Sequence, residues 1–451
     1  MKKLFGTDGI RGIAYRDITK ELVIKVASAI AYIFNRENKG IKVIIGNDGR
    51  ESANMILSTL KEELLSCGIS VLDAGLIPTP GISYLVKYYN YDLGIMISAS
   101  HNPHEYNGIK IFDKEGYKLS DDVESNIEDL IFDNIKYSST KRGIILDSRD
   151  VIKEYGNHLL DSLNKYNNNN VNYNNLNIGI DASNGASSKV CEYIFSKLGS
   201  KYHIINNAPN GTNINNNCGS THPEVLSSYV INNKLDIGIA YDGDADRVVF
   251  IDELGNIING DYTLAIISND LKNKNRLNKN TIVGTILSNL GLLEYCKNND
   301  IEFITTNVGD KYVLEYLRDN NLSLGGEEAG HIILKEYCNT GDGPLTSLIM
   351  LSILASTNTT FSNLTKIMHK YPEVHINIKV NNKNDFATSN IIEDSIKEIK
   401  NNFNGNYRLV VRPSGTEPLV RIVLEGEELK VLEESSNKIK SIIKNLNMEV
   451  V

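Results

Sequence analysis

The feature that most constrains the fold is an alternation of short apolar runs with amphipathic stretches of helical length. Runs such as Val43–Ile45, Leu93–Ile97 and Ile237–Ala240 are apolar and are bounded by polar residues or glycine. Between such runs, apolar residues recur at helical spacing, for example from 20 to 36 and from 427 to 445. Short buried strands that alternate with helices are typical of mostly parallel sheets, so the pattern predicts an α/β fold.

The chain is too long for a single hydrophobic core. Its 451 residues correspond to roughly three domains at about 150 residues each, so we expect three or four domains. Near residue 370 a helical stretch gives way to Pro372 and then to the strand-like run Val374–Ile378. This change predicts the start of a last domain that extends to residue 451.

Composition and charge narrow the class of protein. With 41% hydrophobic and 23% charged residues, the chain is typical of a folded globular protein. It has no long uninterrupted apolar run and no signal-peptide pattern, so we expect no membrane association and a cytoplasmic location. The formal charge of −9 disfavours nucleic-acid binding, which requires a basic excess. The five cysteines form no CxxC pair, and we interpret them as reduced structural thiols.

The first candidate site is the stretch ISASHNP at Ile97–Pro103, which follows an apolar strand. Loops at the carboxyl ends of such strands are where α/β sheets bind ligands. Ser100 is therefore a candidate nucleophile, and His101 beside it is a candidate base. Serine, asparagine and proline are also ordinary turn residues, so a hydrogen-bonded turn is the alternative interpretation.

The second candidate site is DGDADR at Asp242–Arg247, between two strand-like runs. The carboxylates of Asp242, Asp244 and Asp246 can converge on one hard cation, and such oxygen ligands suit Mg²⁺. An EF-hand is disfavoured because Arg247 occupies the position at which that loop needs glycine. Two other interpretations stay open: Asp242 is itself a phosphoryl acceptor, or the segment is a charged turn.

The third candidate site is RPSGTEP at Arg412–Pro418, with Arg421 beyond it. Two guanidinium groups, the hydroxyls of Ser414 and Thr416 and the backbone at Gly415 can form a phosphate cradle. A turn with exposed arginines is the alternative. The sequence contains no GxxxxGK[ST] pattern, which disfavours a nucleoside triphosphatase.

Three further segments carry side chains that can bind hydroxyl groups, transfer a proton or neutralise a phosphoryl group. In GGEEAGH, Glu327 can accept hydrogen bonds from sugar hydroxyls, and His331 can transfer a proton near neutral pH. Arg11, which lies between two glycines, can neutralise a transferring phosphoryl group. Lys110, shortly after the first candidate site, supplies another cation.

Together these motifs resemble the α-D-phosphohexomutase family over nearly the whole chain. The resemblance is carried by FGTDGIRG (5–12), ISASHNP (97–103), NGIK (107–110), DGDADR (242–247), GGEEAGH (325–331) and RPSGTEP (412–418). The stretches NGTNIN (210–215), CGSTHPE (218–224) and GTILSN (284–289) favour the branch of the family that acts on glucosamine phosphate. The resemblance implies three related mixed α/β domains and a smaller C-terminal α+β domain around a central cleft, at 1–148, 149–252, 253–369 and 370–451.

The same resemblance implies a function. The expected reaction interconverts glucosamine 6-phosphate and glucosamine 1-phosphate through a phosphoserine and a 1,6-bisphosphate intermediate, and it feeds UDP-N-acetylglucosamine and cell-wall synthesis. The expected cofactors are Mg²⁺ and a primer, either glucosamine 1,6-bisphosphate or glucose 1,6-bisphosphate. The expected partner is a small-molecule sugar phosphate, and a homodimer is one assembly that the sequence leaves open.

The resemblance also implies a role for each candidate residue. Ser100 is the phosphoserine and contributes to the metal site. The other implied roles are metal ligands for Asp242, Asp244 and Asp246, support of the metal loop for Arg247, sugar contact for Glu327, phosphate binding for Arg412, Ser414, Gly415, Thr416 and Arg421, and electrostatic or proton-transfer work for Arg11, Lys110, His101 and His331.

Three positions depart from the family pattern. Ala329 stands where serine is usual, Glu328 where glutamine or methionine is usual, and Lys311 where arginine is frequent. One lost hydrogen bond at Ala329 costs about 0.5–1.5 kcal/mol, which alters sugar preference without abolishing activity. The charge of Glu328 favours an ammonium sugar.

The alternatives to the expected glucosamine phosphate reaction are a phosphoglucomutase or phosphomannomutase, a sugar phosphatase and a non-catalytic sugar-phosphate sensor.

Overall fold

A computed structural model shows four sheets in chain order, each with its own helices, and we call these units the first to fourth domains. The structure describes residues 4–35, 39–168, 171–379, 397–399, 405–413, 419–445 and 449–450. In the described ranges, no helix combines the length and the apolar character that a bilayer crossing requires. The predicted α/β class is confirmed, and the domain boundaries set out above stay a prediction.

The first domain is built on a six-stranded mixed sheet with the order β1-β2-β6-β5-β3-β4. Strand β3 runs parallel to both β4 and β5, whereas β6 runs antiparallel to β5 and β2. Its strands are β1 (Phe5–Gly6), β2 (Gly9–Ile13), β3 (Lys42–Asn47), β4 (Ser70–Leu76), β5 (Leu93–Ile97) and β6 (Tyr106–Asp113). Its helices are α1 (Lys20–Phe34), α2 (Ala53–Ser66), α3 (Thr79–Tyr88) and α4 (Asp121–Phe132).

The second domain has a five-stranded sheet with the order β11-β10-β9-β7-β8. Strand β7 is parallel to β8 and β9, and β10 returns antiparallel to β9. Its strands are β7 (Asn177–Asp181), β8 (Lys201–Ile205), β9 (Ile237–Tyr241), β10 (Val248–Asp252) and β11 (Ile257–Ile258). Its helices are α5 (Val151–Asn167), α6 (Ser187–Leu198) and α7 (Pro223–Asn233).

The third domain has a four-stranded sheet with the order β13-β12-β14-β15, in which only the pairing of β14 with β15 is antiparallel. Its strands are β12 (Thr281–Thr285), β13 (Glu302–Thr306), β14 (Leu324–Gly326) and β15 (Ile332–Leu334). Its helices are α8 (Gly260–Asn273), α9 (Leu290–Asn298), α10 (Asp310–Asn320), α11 (Gly343–Thr357) and α12 (Phe361–Leu364).

The fourth domain is smaller and its sheet is antiparallel throughout, with the order β17-β18-β16-β19. Its strands are β16 (Glu373–Lys379), β17 (Tyr407–Pro413), β18 (Leu419–Gly426) and β19 (Glu449–Val450). Helix α13 (Leu429–Asn445) packs on this sheet through Leu432, Ile439 and Ile443.

The hydrophobic cores explain how the domains are joined. In the part of the chain that the structure describes, the second and third domains share one large core cluster, whereas the first domain has two clusters and the fourth domain has one. Helix α11 is buried from Gly343 to Leu354, and it packs against α5 of the second domain and α8 of the third. A helix that is apolar on all sides is stable only inside a core. Helix α11 therefore joins the second domain to the third.

Candidate active site

Ser100 lies in the loop after β5, where its hydroxyl contacts the second domain. Strand β5 is buried along its whole length and ends at Ile97. Ser100 therefore lies at the carboxyl edge of the sheet, where α/β folds bind ligands. The Ser100 Oγ donates a hydrogen bond to Asp242 Oδ2 at 2.6 Å, and His101 Nδ1 lies 3.4 Å from the same hydroxyl. The backbone φ of Ser100 is +51°, in the left-handed region.

Three carboxylates converge on the loop between β9 and β10. One oxygen from each of Asp242, Asp244 and Asp246 lies within 4.8 Å of the other two, and all three residues are buried. Asp244 Oδ1 and Asp246 Oδ1 have no hydrogen-bond partner among the described residues. Burial, followed by repulsion from Asp246 and Asp244, raises the pKa of Asp242 well above its ordinary value. Clustered buried carboxylates whose oxygens lack hydrogen-bond partners are suitable ligands for a hard divalent cation such as Mg²⁺.

Lys110 places a positive charge inside this acidic cluster. Its Nζ lies 2.7 Å from Asp244 Oδ2, 2.9 Å from Asp8 Oδ2 and 3.3 Å from Asp246 Oδ2. Burial lowers the pKa of Lys110, but the three carboxylates raise it more and hold it well above its ordinary value. Lys110 is therefore a fixed cation beside the aspartate loop.

A second set of charges links the first domain to the third. Lys118 Nζ lies 2.5 Å from Asp8 Oδ1 and also pairs with Asp310. Asp8 pairs in addition with Arg11. Burial raises the pKa of Asp8, but Lys110, Lys118 and Arg11 together lower it well below its ordinary value. Asp8 is thus an ionised hub between two lysines and an arginine.

The two cleft histidines are each engaged by a neighbour. Gly341 N–H donates to His331 Nε2 at 2.8 Å, which leaves the proton of a neutral ring on Nδ1, 3.8 Å from Asp246 Oδ1. Arg247 lies 3.0 Å from His101 Nδ1 through its terminal nitrogen. Burial, and then the charges of Arg247 and Arg11, lower the pKa of His101 to about 3. His101 is accordingly a neutral ring at physiological pH.

The fourth domain contributes two guanidinium groups to the lining of the same cleft. Arg412 on β17 and Arg421 on β18 stand opposite each other in the antiparallel register. Burial, and then repulsion from Arg421, lowers the pKa of Arg412. Beside them, Glu327 of the third domain accepts a hydrogen bond from Gly309 N–H at 3.1 Å. Paired guanidinium groups are well suited to a phosphate, which would relieve their repulsion.

A cleft of about 540 Å³ brings most of the candidate residues together, and this volume is ample for a sugar phosphate. Its lining includes Arg11, His101, Asp246, Arg247, Glu327, His331, Arg412 and Arg421. Ser100, Lys110, Asp242 and Asp244 lie deeper and are at most 1% exposed. The remaining candidates, Ser414, Gly415 and Thr416, lie outside the described residues.

Two of the unusual positions are not part of the lining of this cleft. Glu328 Oε1 lies 3.0 Å from Lys370 Nζ and accepts a hydrogen bond from Asn259 Nδ2 at 2.9 Å. The expectation that its charge favours an ammonium sugar therefore loses its basis, because this carboxylate is paired outside the cleft lining. Lys311 pairs with Asp121 of the first domain at 2.9 Å and does not line the cleft either.

Sequence reasoning missed three charged residues of the site. Asp8 lies inside FGTDGIRG, so its motif was a usable signal, but only Arg11 was singled out there. Lys118 and Asp310 belong to no pattern that identified them, although Asp310 begins helix α10, where an acidic residue is favourable.

Comparison with protein-family models matches all four domains. The models described as phosphoglucomutase/phosphomannomutase, alpha/beta/alpha domains I, II and III match residues 2–138, 153–255 and 259–371, and the model of the C-terminal domain matches 376–440. Together these matches cover most of the chain in an unbroken domain order.

Whole-length relatives and solved structures agree with this match. The chain is 43% identical to a curated phosphoglucosamine mutase of Caldicellulosiruptor bescii and 44% identical to one of Clostridium botulinum, with 99% of both chains covered in each case. A phosphoglucomutase/phosphomannomutase family protein of Burkholderia thailandensis superposes with a TM-score of 0.81 at 21% identity, covering 99% of this chain and 98% of that one. The N-acetylphosphoglucosamine mutase of Aspergillus fumigatus, solved with GlcNAc-6P and magnesium, gives a TM-score of 0.71 at 16% identity, covering 99% and 96%. The chain therefore belongs to the phosphoglucomutase/phosphomannomutase family, the α-D-phosphohexomutases.

Proposed function

We propose that this protein is a phosphoglucosamine mutase that interconverts glucosamine 6-phosphate and glucosamine 1-phosphate. The observation that carries the proposal is the 2.6 Å hydrogen bond between the Ser100 hydroxyl and Asp242, beneath a cleft whose lining includes Arg412 and Arg421. A nucleophile beside a cation site, with a separate anion site in the neighbouring cleft, suits transfer of one phosphoryl group while a second is held. The 43–44% identity to phosphoglucosamine mutases supports the choice of sugar.

In the proposed cycle, Ser100 first carries a phosphoryl group donated by a hexose 1,6-bisphosphate primer. The free hydroxyl of glucosamine 6-phosphate attacks this phosphorus, the bond to Ser100 Oγ breaks, and glucosamine 1,6-bisphosphate forms. Lys110 and Arg11 stabilise the negative charge of the phosphoryl oxygens. The three aspartates of the loop after β9 would hold Mg²⁺, which would supply further positive charge to stabilise the transferring phosphoryl group.

The fourth domain holds the phosphate that is not transferred. Arg412 and Arg421 bind this group, and Glu327 accepts hydrogen bonds from the sugar hydroxyls. The bisphosphate then reverses its orientation, and its other phosphoryl group returns to Ser100. The hydroxyl proton passes to a base of the site, for which the two cleft histidines are the candidates, since the surrounding carboxylates hold Lys110 in its charged form.

Substrate preference tests the choice of sugar. We expect kcat/KM to be at least tenfold higher for glucosamine 6-phosphate than for glucose 6-phosphate or mannose 6-phosphate, with Mg²⁺ and a bisphosphate primer present. Preference for a neutral hexose would keep the chemistry and contradict the amino-sugar assignment. Release of inorganic phosphate at every turnover would identify a phosphatase, and binding without turnover would identify a sensor.

The phosphoserine is tested by Ser100→Ala. We expect this variant to lose mutase activity and to acquire no phosphate from glucose 1,6-bisphosphate, as measured by intact mass. Ser58→Ala is the matched control, because Ser58 is an exposed serine on α2. Mutase activity at the wild-type level in Ser100→Ala would exclude the proposed route.

A further inference from the structure

The Ser100 backbone has a conformation that must be imposed from outside. Its φ of +51° lies in the left-handed region, which residues other than glycine adopt only at a cost in free energy. The peptide before Ser100 is fixed by its N–H, which donates to Ser98 Oγ at 2.8 Å. Ser98 in turn donates to Asp48 Oδ2 at 2.6 Å. The peptide after Ser100 is held by two other side chains, Arg50 and Asn215.

Arg50 is 1% exposed, and all five of its guanidinium N–H groups are used. Its Nε donates to Asp48 Oδ2 at 2.9 Å, which orients the fork. Each terminal nitrogen then donates to two backbone carbonyls of the nucleophile loop. These acceptors are Ser100 O and Asn102 O at 2.8 Å each for one nitrogen, and Tyr106 O at 3.0 Å together with Pro103 O for the other.

Asn215 reaches the same loop from the second domain. Its Nδ2 donates to Ser100 O at 2.8 Å and to Asn102 O at 3.1 Å, so two carbonyls are each held from two domains. The orientation of the amide follows from these contacts, because only its nitrogen can donate to a carbonyl. Asn215 is 7% exposed and closes the stretch NGTNIN, one of the segments that favours the glucosamine branch.

We propose that Arg50 and Asn215, which we call the carbonyl clamp, are positioning residues that aim the Ser100 hydroxyl at the aspartate cluster. The inference rests on the proposed role of Ser100 as the phosphoryl carrier. Neither residue lines the catalytic cleft, so we expect neither to contact a bound sugar phosphate. The clamp fixes the peptide after the nucleophile, while Ser98 fixes the peptide before it. Without the clamp, the loop relaxes and Oγ turns away from Asp242.

The experiment compares Arg50→Lys, Asn215→Ala and the control Asn216→Ala. A lysine keeps the charge of Arg50 but cannot span four carbonyls, and a displacement of a reacting group by about 1 Å can cost about 100-fold in rate. We expect kcat to fall about 100-fold in Arg50→Lys and about 10-fold in Asn215→Ala, with KM for the sugar phosphate within about twofold of wild type. Asn216 is exposed and its substitution should change neither constant.

A second measurement separates positioning from a loss of folding. The rate at which glucose 1,6-bisphosphate phosphorylates Ser100, followed by intact mass, should fall by the same factor as kcat, while the melting temperature of Asn215→Ala stays near that of wild type. Wild-type kcat in Asn215→Ala, or a KM that rises as much as kcat falls, would overturn the clamp. If Arg50→Lys does not fold, Asn215→Ala decides alone. A wild-type protein that is never phosphorylated on Ser100 would instead overturn the proposed function.

Discussion

At the scale of single residues, burial has shifted the ionisation of Asp342 far enough to affect stability at physiological pH. Asp342 caps α11, accepts a hydrogen bond from Leu345 N–H at 2.8 Å and receives the Tyr155 hydroxyl at 2.9 Å. Burial raises its pKa to about 7, against the smaller lowering effect of Leu345 and Tyr155. The unfolded value is about 3.9, so between about pH 4 and pH 7 the folded state binds more protons than the unfolded state.

The sign of the resulting pH dependence is fixed by that difference. The contribution of Asp342 to the free energy of unfolding is full below pH 4 and is lost as the pH rises to 7, by up to about 4 kcal/mol. Asparagine cannot ionise and is also a good N-cap. We therefore expect Asp342→Asn to gain stability relative to wild type as the pH rises from 4 to 8, measured by urea unfolding.

Asp150→Asn is the control for this prediction, because Asp150 is also an N-cap residue, at the start of α5, but is exposed. It should leave the pH dependence of unfolding unchanged. If the free energies of unfolding of Asp342→Asn and wild type differ by the same amount at pH 4 and pH 8, the raised pKa of Asp342 is contradicted.

At the scale of elements, the site residues that come directly after a buried strand could be predicted from the sequence. Ser100 and Asp242 each come after a short apolar run, and strands β5 and β9 place them at carboxyl edges as predicted. Asp310 and Lys118 could not be found this way, because they meet only when the first and third domains pack together. Arg50 shows the same limit, since its four carbonyl acceptors lie about 50 residues away along the chain.

The start of α10 gives a further prediction about stability, because Asp310 both begins this helix and pairs with Lys118, and each of the two side chains is only 13% exposed. Removal of one partner of a fully buried ion pair costs about 3–5 kcal/mol. Lys118 keeps Asp8 as a second partner, so we expect a smaller loss of about 1–3 kcal/mol in Asp310→Asn.

Urea unfolding of Asp310→Asn beside Asp319→Asn tests this value. Asp319 lies near the other end of the same helix in an exposed pair with Arg318, so its substitution should change stability by less than about 0.5 kcal/mol. Equal effects of the two substitutions would show that the link between the first and third domains adds nothing to stability.

At the scale of the whole molecule, the buried carboxylate of Glu425 is one of the groups that join the fourth domain to the third. Glu425 on β18 accepts the N–H of Leu290, the first residue of α9, at 2.5 Å and pairs with Arg408. Arg408 also donates to Ser288 O. Strand β18 carries Arg421 as well, so we expect this contact to set the position of the guanidinium group that we propose binds phosphate.

Glu425→Gln should therefore impair binding of the sugar phosphate more than the chemical step. The substitution removes the negative charge that attracts the Arg408 guanidinium and interacts favourably with the N-terminus of α9. Charge-assisted hydrogen bonds of this kind contribute about 1.5–3 kcal/mol. We expect KM for the sugar phosphate to rise at least about tenfold and kcat at saturation to stay within about twofold. Glu427→Gln, at an exposed position just beyond β18, is the control and should change neither constant. A fall in kcat with unchanged KM would mean that Glu425 acts on phosphoryl transfer, and that the fourth domain reaches its binding position without this contact.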